Sequence, residues 1–216
     1  TTLAKAVYNR IFKNFDGCSF IADIRERASK HMGLVSLQNQ LLNDILKQKT
    51  DEISFVDKGS KMIEARLRGK KVLIILDDVD HRSQLNALAG ELNWFGPKSR
   101  IIITTRDEQV LKVRQVDNNN IYKPGGFNDY QSLQLFSMHA FCTVKPPRDY
   151  MQLSSKVANY ACGLPLTLEV LGSSLYDVRC KEEWESTLKK LEEAPPNEVH
   201  NKLKISYDGL DENEKA

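Results

Sequence analysis

Two adjacent acids, Asp77 and Asp78, close a run of aliphatic residues from Val72 to Leu76. In a parallel sheet, ligands gather at the carboxyl ends of the strands. A carboxylate there can hold Mg²⁺ on a nucleotide, directly or through water. A second carboxylate beside it can orient or activate an attacking water. The same pair also fits a turn or a helix cap following a strand. A second aliphatic run, Ile101 to Ile103, leads through Thr104 and Thr105 to Arg106. A cation at that strand end can sense a γ-phosphate; standing alone, it also fits a solvated loop charge.

Such a site usually carries a phosphate loop of the form G-x-x-x-x-G-K-S/T. The Gly-Lys dipeptide Gly69–Lys70 is followed by Lys71, has Glu64 in place of the first glycine, and precedes a strand. It is not a phosphate loop. Thr1–Thr2 instead open the chain at the start of a helix, where such a loop would end. A Thr1 hydroxyl can then ligate Mg²⁺ opposite Asp77. The missing Met and the missing glycines together suggest a chain cut immediately after the loop lysine.

The elements that must position these residues follow from periodicity. Leu3, Ala6, Val7, Ile11 and Phe15 predict a helix over 1–15, broken by Gly17. Ser19 to Ile24 reads as a short strand. Leu37, Leu41, Leu42, Ile45 and Leu46 mark a second helix with Ser36 as its cap. Met62, Ile63 and Leu67 mark a third, ended near Gly69. Lys71 to Leu76 is a β-rich run without polar alternation, which predicts a strand covered on both faces. A helix over Ser83 to Ala89, a second buried strand over Arg100 to Thr105 and a last one at Ile121–Tyr122 complete the alternation. Helix and strand joined by short links imply a parallel three-layer α/β sheet. Beyond Gly125–Gly126 only helices are expected: one through Leu133 to Phe141, then Tyr150 to Ala161, Leu164 to Leu175 and Glu182 to Leu191. Pro146–Pro147 and Pro195–Pro196 punctuate them. Boundaries fall near 124 and 195.

Composition narrows the class without naming a function. The chain has 216 residues, 41% hydrophobic and 28% charged, with a net charge of +2 from 31 basic and 29 acidic side chains. That is enough to bury a core without staples. It lacks the broad basic field of nucleic-acid binders, and no apolar run approaches a membrane span. Cys18, Cys142, Cys162 and Cys180 are scattered and read as buried or partly buried reduced thiols. His31, His81, His139 and His200 lack metal-ligand spacing, so neither zinc nor a Cys–His pair is expected.

Several ordered segments carry a resemblance. They are Thr1 to Lys5, Leu76 to Asp80, Ser99 to Arg106, Leu135–Phe136 with His139 to Phe141, Gly163 to Leu166, and Leu203 to Leu210. The chain resembles the nucleotide-binding (NB-ARC) region of plant intracellular disease-resistance receptors, within the signal-transducing P-loop ATPases. Asp80 and the segment Phe20 to Arg25 resemble the receptors with an N-terminal TIR domain.

The resemblance implies a nucleotide-binding subdomain over 1–124 that lacks its first strand and phosphate loop. It implies a helical subdomain over 125–195 and the start of a winged-helix subdomain over 196–216. It implies ADP or ATP with Mg²⁺, Thr1 and Asp77 as metal ligands, Thr2 as a phosphate contact and Asp78 as the hydrolytic carboxylate. Arg106 would read the γ-phosphate. Pro165 would pack near adenine and ribose, its rigid ring offering an apolar face without a donor; a plain helix start fits it equally. ADP would hold the off state and ATP an open, homo-oligomerising on state, with at most slow hydrolysis. Further partners would be TIR and leucine-rich-repeat domains outside the fragment and a pathogen effector, in the cytoplasm, without membrane or nucleic acid. The stretch Lys123 to Phe127 departs from the family's acidic-apolar link. Without its loop and first strand, the fragment alone is expected to fold poorly and bind nucleotide weakly.

Two other classes fit parts of the pattern. A related ATPase transcription regulator would carry a DNA-binding domain downstream in place of leucine-rich repeats. A phosphoryl receiver also has paired acids, but places them after its first strand, whereas a strand and several helices precede Asp77.

Overall fold

The computed structural model describes residues 1–48, 53–112, 117–178 and 180–193. The chain divides into two compact units, with the division between Ile121 and Tyr122. The expected winged-helix opening over 196–216 lies outside the described residues.

The first unit is built on a parallel sheet of β1 (Gly17–Ile21), β2 (Val72–Leu76) and β3 (Arg100–Ile103), in that spatial order. All five residues of β2 are buried. Val72, Ile74 and Leu76 face a core shared with α3 (Gly33–Leu46), α4 (Val56–Leu67) and α5 (Arg82–Ala89). Leu73 and Ile75 face the opposite side, with Ala4, Tyr8 and Ile11 of α1 (Thr2–Ile11). Side chains alternate across a strand, so a strand with a helical layer on each face needs apolar residues at every position. Burying each one stabilises by about 1.5–3 kcal/mol.

The sheet departs from expectation at its edges. β1 starts at Gly17 rather than Ser19 and ends at Ile21 rather than Ile24. A Cβ on Gly17 would meet Ile45 Cγ2 at 2.5 Å, so its lack of a side chain lets α3 lie against the strand. Beyond Ile21, Asp23 turns into the left-handed region at φ 54° and α2 (Ile24–Ala28) begins. The α3 helix starts three residues before Ser36, because Met32 at φ 56° turns the chain there. Arg100 of β3 is exposed and Ile101 to Ile103 are half-buried rather than buried; among the described residues the strand pairs with β2 alone. Ile121–Tyr122 is not a strand.

The second unit is helical among its described residues: α7 (Asp129–Phe141), α8 (Met151–Tyr160), α9 (Pro165–Ser174) and α10 (Lys181–Glu192), the short α6 (Gln109–Lys112) belonging to the first unit. Asn128 and Gln131 cap α7 reciprocally. Trp184 is wholly buried at the centre. Phe136 meets it edge-on at 5.9 Å and Phe141 stacks on it at 5.4 Å, while its indole donates to Val178 O at 2.9 Å.

The cysteines are free. Cys142, Cys162 and Cys180 are exposed rather than buried, because they occupy helix ends. Cys18 is half-buried, and burial pushes its thiol up, so it is a weak nucleophile.

Replacing Trp184→Ala should destabilise the helical unit by about 3–5 kcal/mol, since it opens a large cavity and orphans Val178 O. Urea denaturation followed by far-ultraviolet circular dichroism would show this as a lowered midpoint.

Candidate functional site

Parallel pairing sets the site by register alone. Leu76 pairs with Ile21 on one side and Ile103 on the other. One residue further, Asp77 sits beside Thr104. The backbone continues the ladder there: Asp77 N–H donates to Ile21 O, Thr104 N–H to Leu76 O, and Val79 N–H to Thr104 O, each at 2.9 Å.

The Asp77 side chain is fully buried, and hydroxyls surround it. Thr104 Oγ1 donates to Oδ1 at 2.7 Å, and Thr1 Oγ1 donates to Oδ2 at 2.8 Å. The Thr1 amino nitrogen lies 3.5 Å from Oδ1. Among the described residues, no Lys, Arg or His side chain pairs with this carboxylate. Thr104 Oγ1 also accepts the Asp78 backbone N–H at 2.9 Å, so one hydroxyl holds both acids.

Asp78 adopts a left-handed backbone at φ 55°, which Asp tolerates better than most side chains. Its carboxylate meets two guanidinium groups. Arg106 Nε lies 3.0 Å from Oδ1, and Arg25 Nε lies 3.3 Å from Oδ2. Asp80, a marker of the resemblance, precedes the cap residue His81 of α5 and pairs with Gln84. Gln84 Nε2 donates to Asp80 Oδ1 at 2.7 Å, while Gln84 Oε1 accepts the Asp80 N–H.

The structure therefore brings together Thr1, Asp77, Asp78 and Arg106. Thr2 is exposed at the first turn of α1. Pro165 is exposed at the first position of α9, in the helical unit. The turn before it uses Gly163 at φ 72°, where a Cβ would strike Phe127 O at 2.4 Å.

Two members of the cluster were not singled out by sequence. Thr104 was legible in principle: two aliphatic runs of neighbouring parallel strands end together, so a polar residue after one faces the acid after the other. Arg25 had no local signal as a partner of Asp78, because it lies beyond a turn whose path is set by tertiary hydrogen bonds.

The donor set fits Mg²⁺. One hydroxyl and one carboxylate are hard oxygen ligands, and Mg²⁺ on nucleotides commonly takes only one or two protein groups, with water and phosphates completing the shell. Among the described residues, no group of three or more His, Cys, Asp and Glu side chains converges to hold a metal by itself. No helix among them is long and apolar enough to cross a membrane.

A parallel sheet covered on both faces, with Asp77, Asp78 and Arg106 at its carboxyl ends, is consistent with a P-loop NTPase type of domain. The NB-ARC domain family matches residues 1–144, and the chain belongs to it. It is 45% identical to the disease resistance protein RUN1 of Vitis rotundifolia over all of its own length and 16% of that protein. It is 45% identical to the disease resistance protein RPV1 of Vitis rotundifolia, over 98% of this chain and 15% of the relative. It is 42% identical to the TMV resistance protein N of Nicotiana glutinosa, over 98% of this chain and 18% of the relative. The chain thus spans less than a fifth of the length of these three relatives.

Replacing Thr104→Val should cost about 1–3 kcal/mol, because it leaves a buried carboxylate oxygen and the Asp78 N–H short of a partner. Thr104→Ser should retain most of the stability. Chemical denaturation of the two variants side by side would check this.

Proposed function

We propose that this domain is the nucleotide switch of an intracellular plant immune receptor with TIR and leucine-rich-repeat domains, off with ADP and on with ATP. The observation that carries the reading is the buried Asp77 at the end of a strand covered on both faces. Burying a charge is costly unless strong partners satisfy it. Two hydroxyls satisfy it only in part, and a divalent cation would complete its coordination. The similarity to plant disease-resistance proteins supports the setting.

Thr1 and Asp77 would hold Mg²⁺, and the ion would supply charge neutralisation for the nucleotide phosphates. Thr104 keeps Asp77 in one rotamer through its hydroxyl. Thr2, at the first turn of α1, would offer a hydroxyl and a helix N-terminal amide to an anion. Pro165 is proposed as an apolar nucleotide contact on the strength of its motif and its exposure. Asp78 would orient a water and take its proton as the water oxygen bonds to the γ-phosphorus and the bridging P–O bond breaks, giving ADP and inorganic phosphate. Arg106 would bind the γ-phosphate and stabilise its developing charge.

A switch differs from a metabolic enzyme in what its nucleotide does. The γ-phosphate changes which contacts are available, and the protein follows the state that binds it better. Slow hydrolysis then sets how long the on state lasts. Homo-oligomerisation on activation, and direct or indirect recognition of a pathogen effector, belong to the same proposal.

In the full-length protein, Asp78→Ala should retain ADP binding and lower ATP hydrolysis by about 100-fold. It should also prolong defence signalling in leaf tissue. A variant that hydrolyses ATP at the wild-type rate and stays quiet would contradict the role of Asp78. Asp77→Ala should instead weaken Mg²⁺-nucleotide affinity by about tenfold or more, which is roughly 1.4 kcal/mol. Fluorescent-nucleotide titration with and without Mg²⁺ measures it.

A further inference from the structure

Asp78 has two cationic partners and one carboxylate, and the two partners are held differently. Arg106 lies on the loop after β3, with its side chain 74% exposed, and its Nε reaches Oδ1. Arg25 is 46% exposed, and its Nε reaches Oδ2. The Arg25 backbone is also tied to the acid it pairs with: its N–H donates to Asp78 O at 3.1 Å. The preceding N–H, of Ile24, donates to Asp77 O at 3.0 Å, and the Ile24 side chain is wholly buried. Arg25 is therefore anchored to the end of β2 by main chain as well as side chain. No equivalent backbone tie joins Arg106 to β2 among the hydrogen bonds of the described residues.

We propose that Arg25 is a positioning residue: it holds the Asp78 carboxylate in place while Arg106, the exchangeable partner, leaves Asp78 for an anionic phosphate. The proposal rests on the reading of Asp78 as the water-orienting carboxylate. With a guanidinium on each oxygen, the carboxylate keeps lone pairs for a water, but both oxygens are held by cations that lower its basicity. Releasing Arg106 frees Oδ1 and supplies the cation to the γ-phosphate in one movement. Arg25 keeps Oδ2 and restrains rotation of the carboxylate about its side-chain bonds. A lone Asp78 would be free to rotate about its side-chain bonds, and orientation of the attacking water would be lost.

The test uses the intact full-length protein, with Arg25→Gln, Asp78→Asn and the double variant. Single-turnover ATP hydrolysis and the dissociation constant for Mg²⁺-ADP are measured on each. Arg25→Gln is expected to slow hydrolysis by roughly 10–100-fold, as outer-shell partners of a reactive group commonly do, with the dissociation constant within about twofold of wild type. In the Asp78→Asn background the same substitution is expected to have no further effect, since Arg25 acts through Asp78. An independent readout is hydrogen exchange at the arginine Nε protons. A non-hydrolysable ATP analogue with Mg²⁺ should expose Arg106 Nε–H to exchange and leave Arg25 Nε–H protected.

Normal turnover in Arg25→Gln, an additive effect in the double variant, an equal loss of ADP affinity, or release of Arg25 in place of Arg106 each overturns the role of Arg25 alone. Normal turnover in Asp78→Asn overturns the reading of Asp78 and this role with it. If Arg25→Gln does not fold, Arg25→Lys replaces it. The ammonium keeps the charge and loses the planar donor, so an intermediate rate that again disappears in the Asp78→Asn background supports the proposal, and an unchanged rate overturns it.

Discussion

The carboxylate of Asp77 is the constraint on which the first unit depends. It is taken fully out of water at the end of a strand that is itself buried on both faces. A charge so placed is tolerated only where hydrogen bonds reach it. Those bonds come from residues distant in sequence, Thr1 and Thr104. A slip of one residue in the pairing of β2 with β3 would remove the Thr104 hydroxyl from Oδ1 and turn every side chain of the strand to the other layer. The apolar alternation and the polar contact thus specify the same register. The main chain repeats it: Ile21, Leu76, Thr104 and Val79 are hydrogen-bonded around the two acids.

Much of this was legible because it depends on short-range pattern. An unbroken apolar run identified β2, and its position before two acids located the site. Helical periodicity located α7 to α10. What failed was where elements begin and end, and the reasons are tertiary. Gly17 reads as a helix breaker, yet it is a strand residue because α3 packs against its bare Cα. Ser36 has the right chemistry for a cap, but Met32 and Gly33 turn the chain a full turn earlier. Ile101 to Ile103 look as buried as β2 by composition. Among the described residues they pair with β2 alone and are half-buried.

The site divides in the same way. Asp77, Asp78 and Arg106 stand at the ends of recognisable strands, so residue type and position announced them. Thr104 needed one further step, the comparison of where two parallel runs stop. Arg25 needed the fold itself. Asp23 at positive φ brings α2 back over β2, so that Ile24 and Arg25 bond to the carbonyls of the two acids. Asp80 shows the opposite hazard. It helps to mark a class of relatives, but its carboxylate is spent on Gln84 at the start of α5. A residue can be diagnostic of a family for a purely local structural reason.

The balance of charge around Asp78 bears on why such a site would be slow. A carboxylate between two guanidinium groups is stable as it stands, with each oxygen in a charge-assisted contact. If Asp78 acts as the proposed base, opening the Arg106 contact raises its basicity, and the lost contact adds to the barrier of the chemical step. Both arginines are substantially exposed, so solvent screens the pairs and keeps that cost modest. An enzyme selected for turnover gains nothing from a resting state that covers its base. On the proposed reading a switch does, because each step needed to uncover the base lengthens the life of bound ATP. On this reading the arrangement of Asp78, Arg25 and Arg106 is suited to timing rather than to rate.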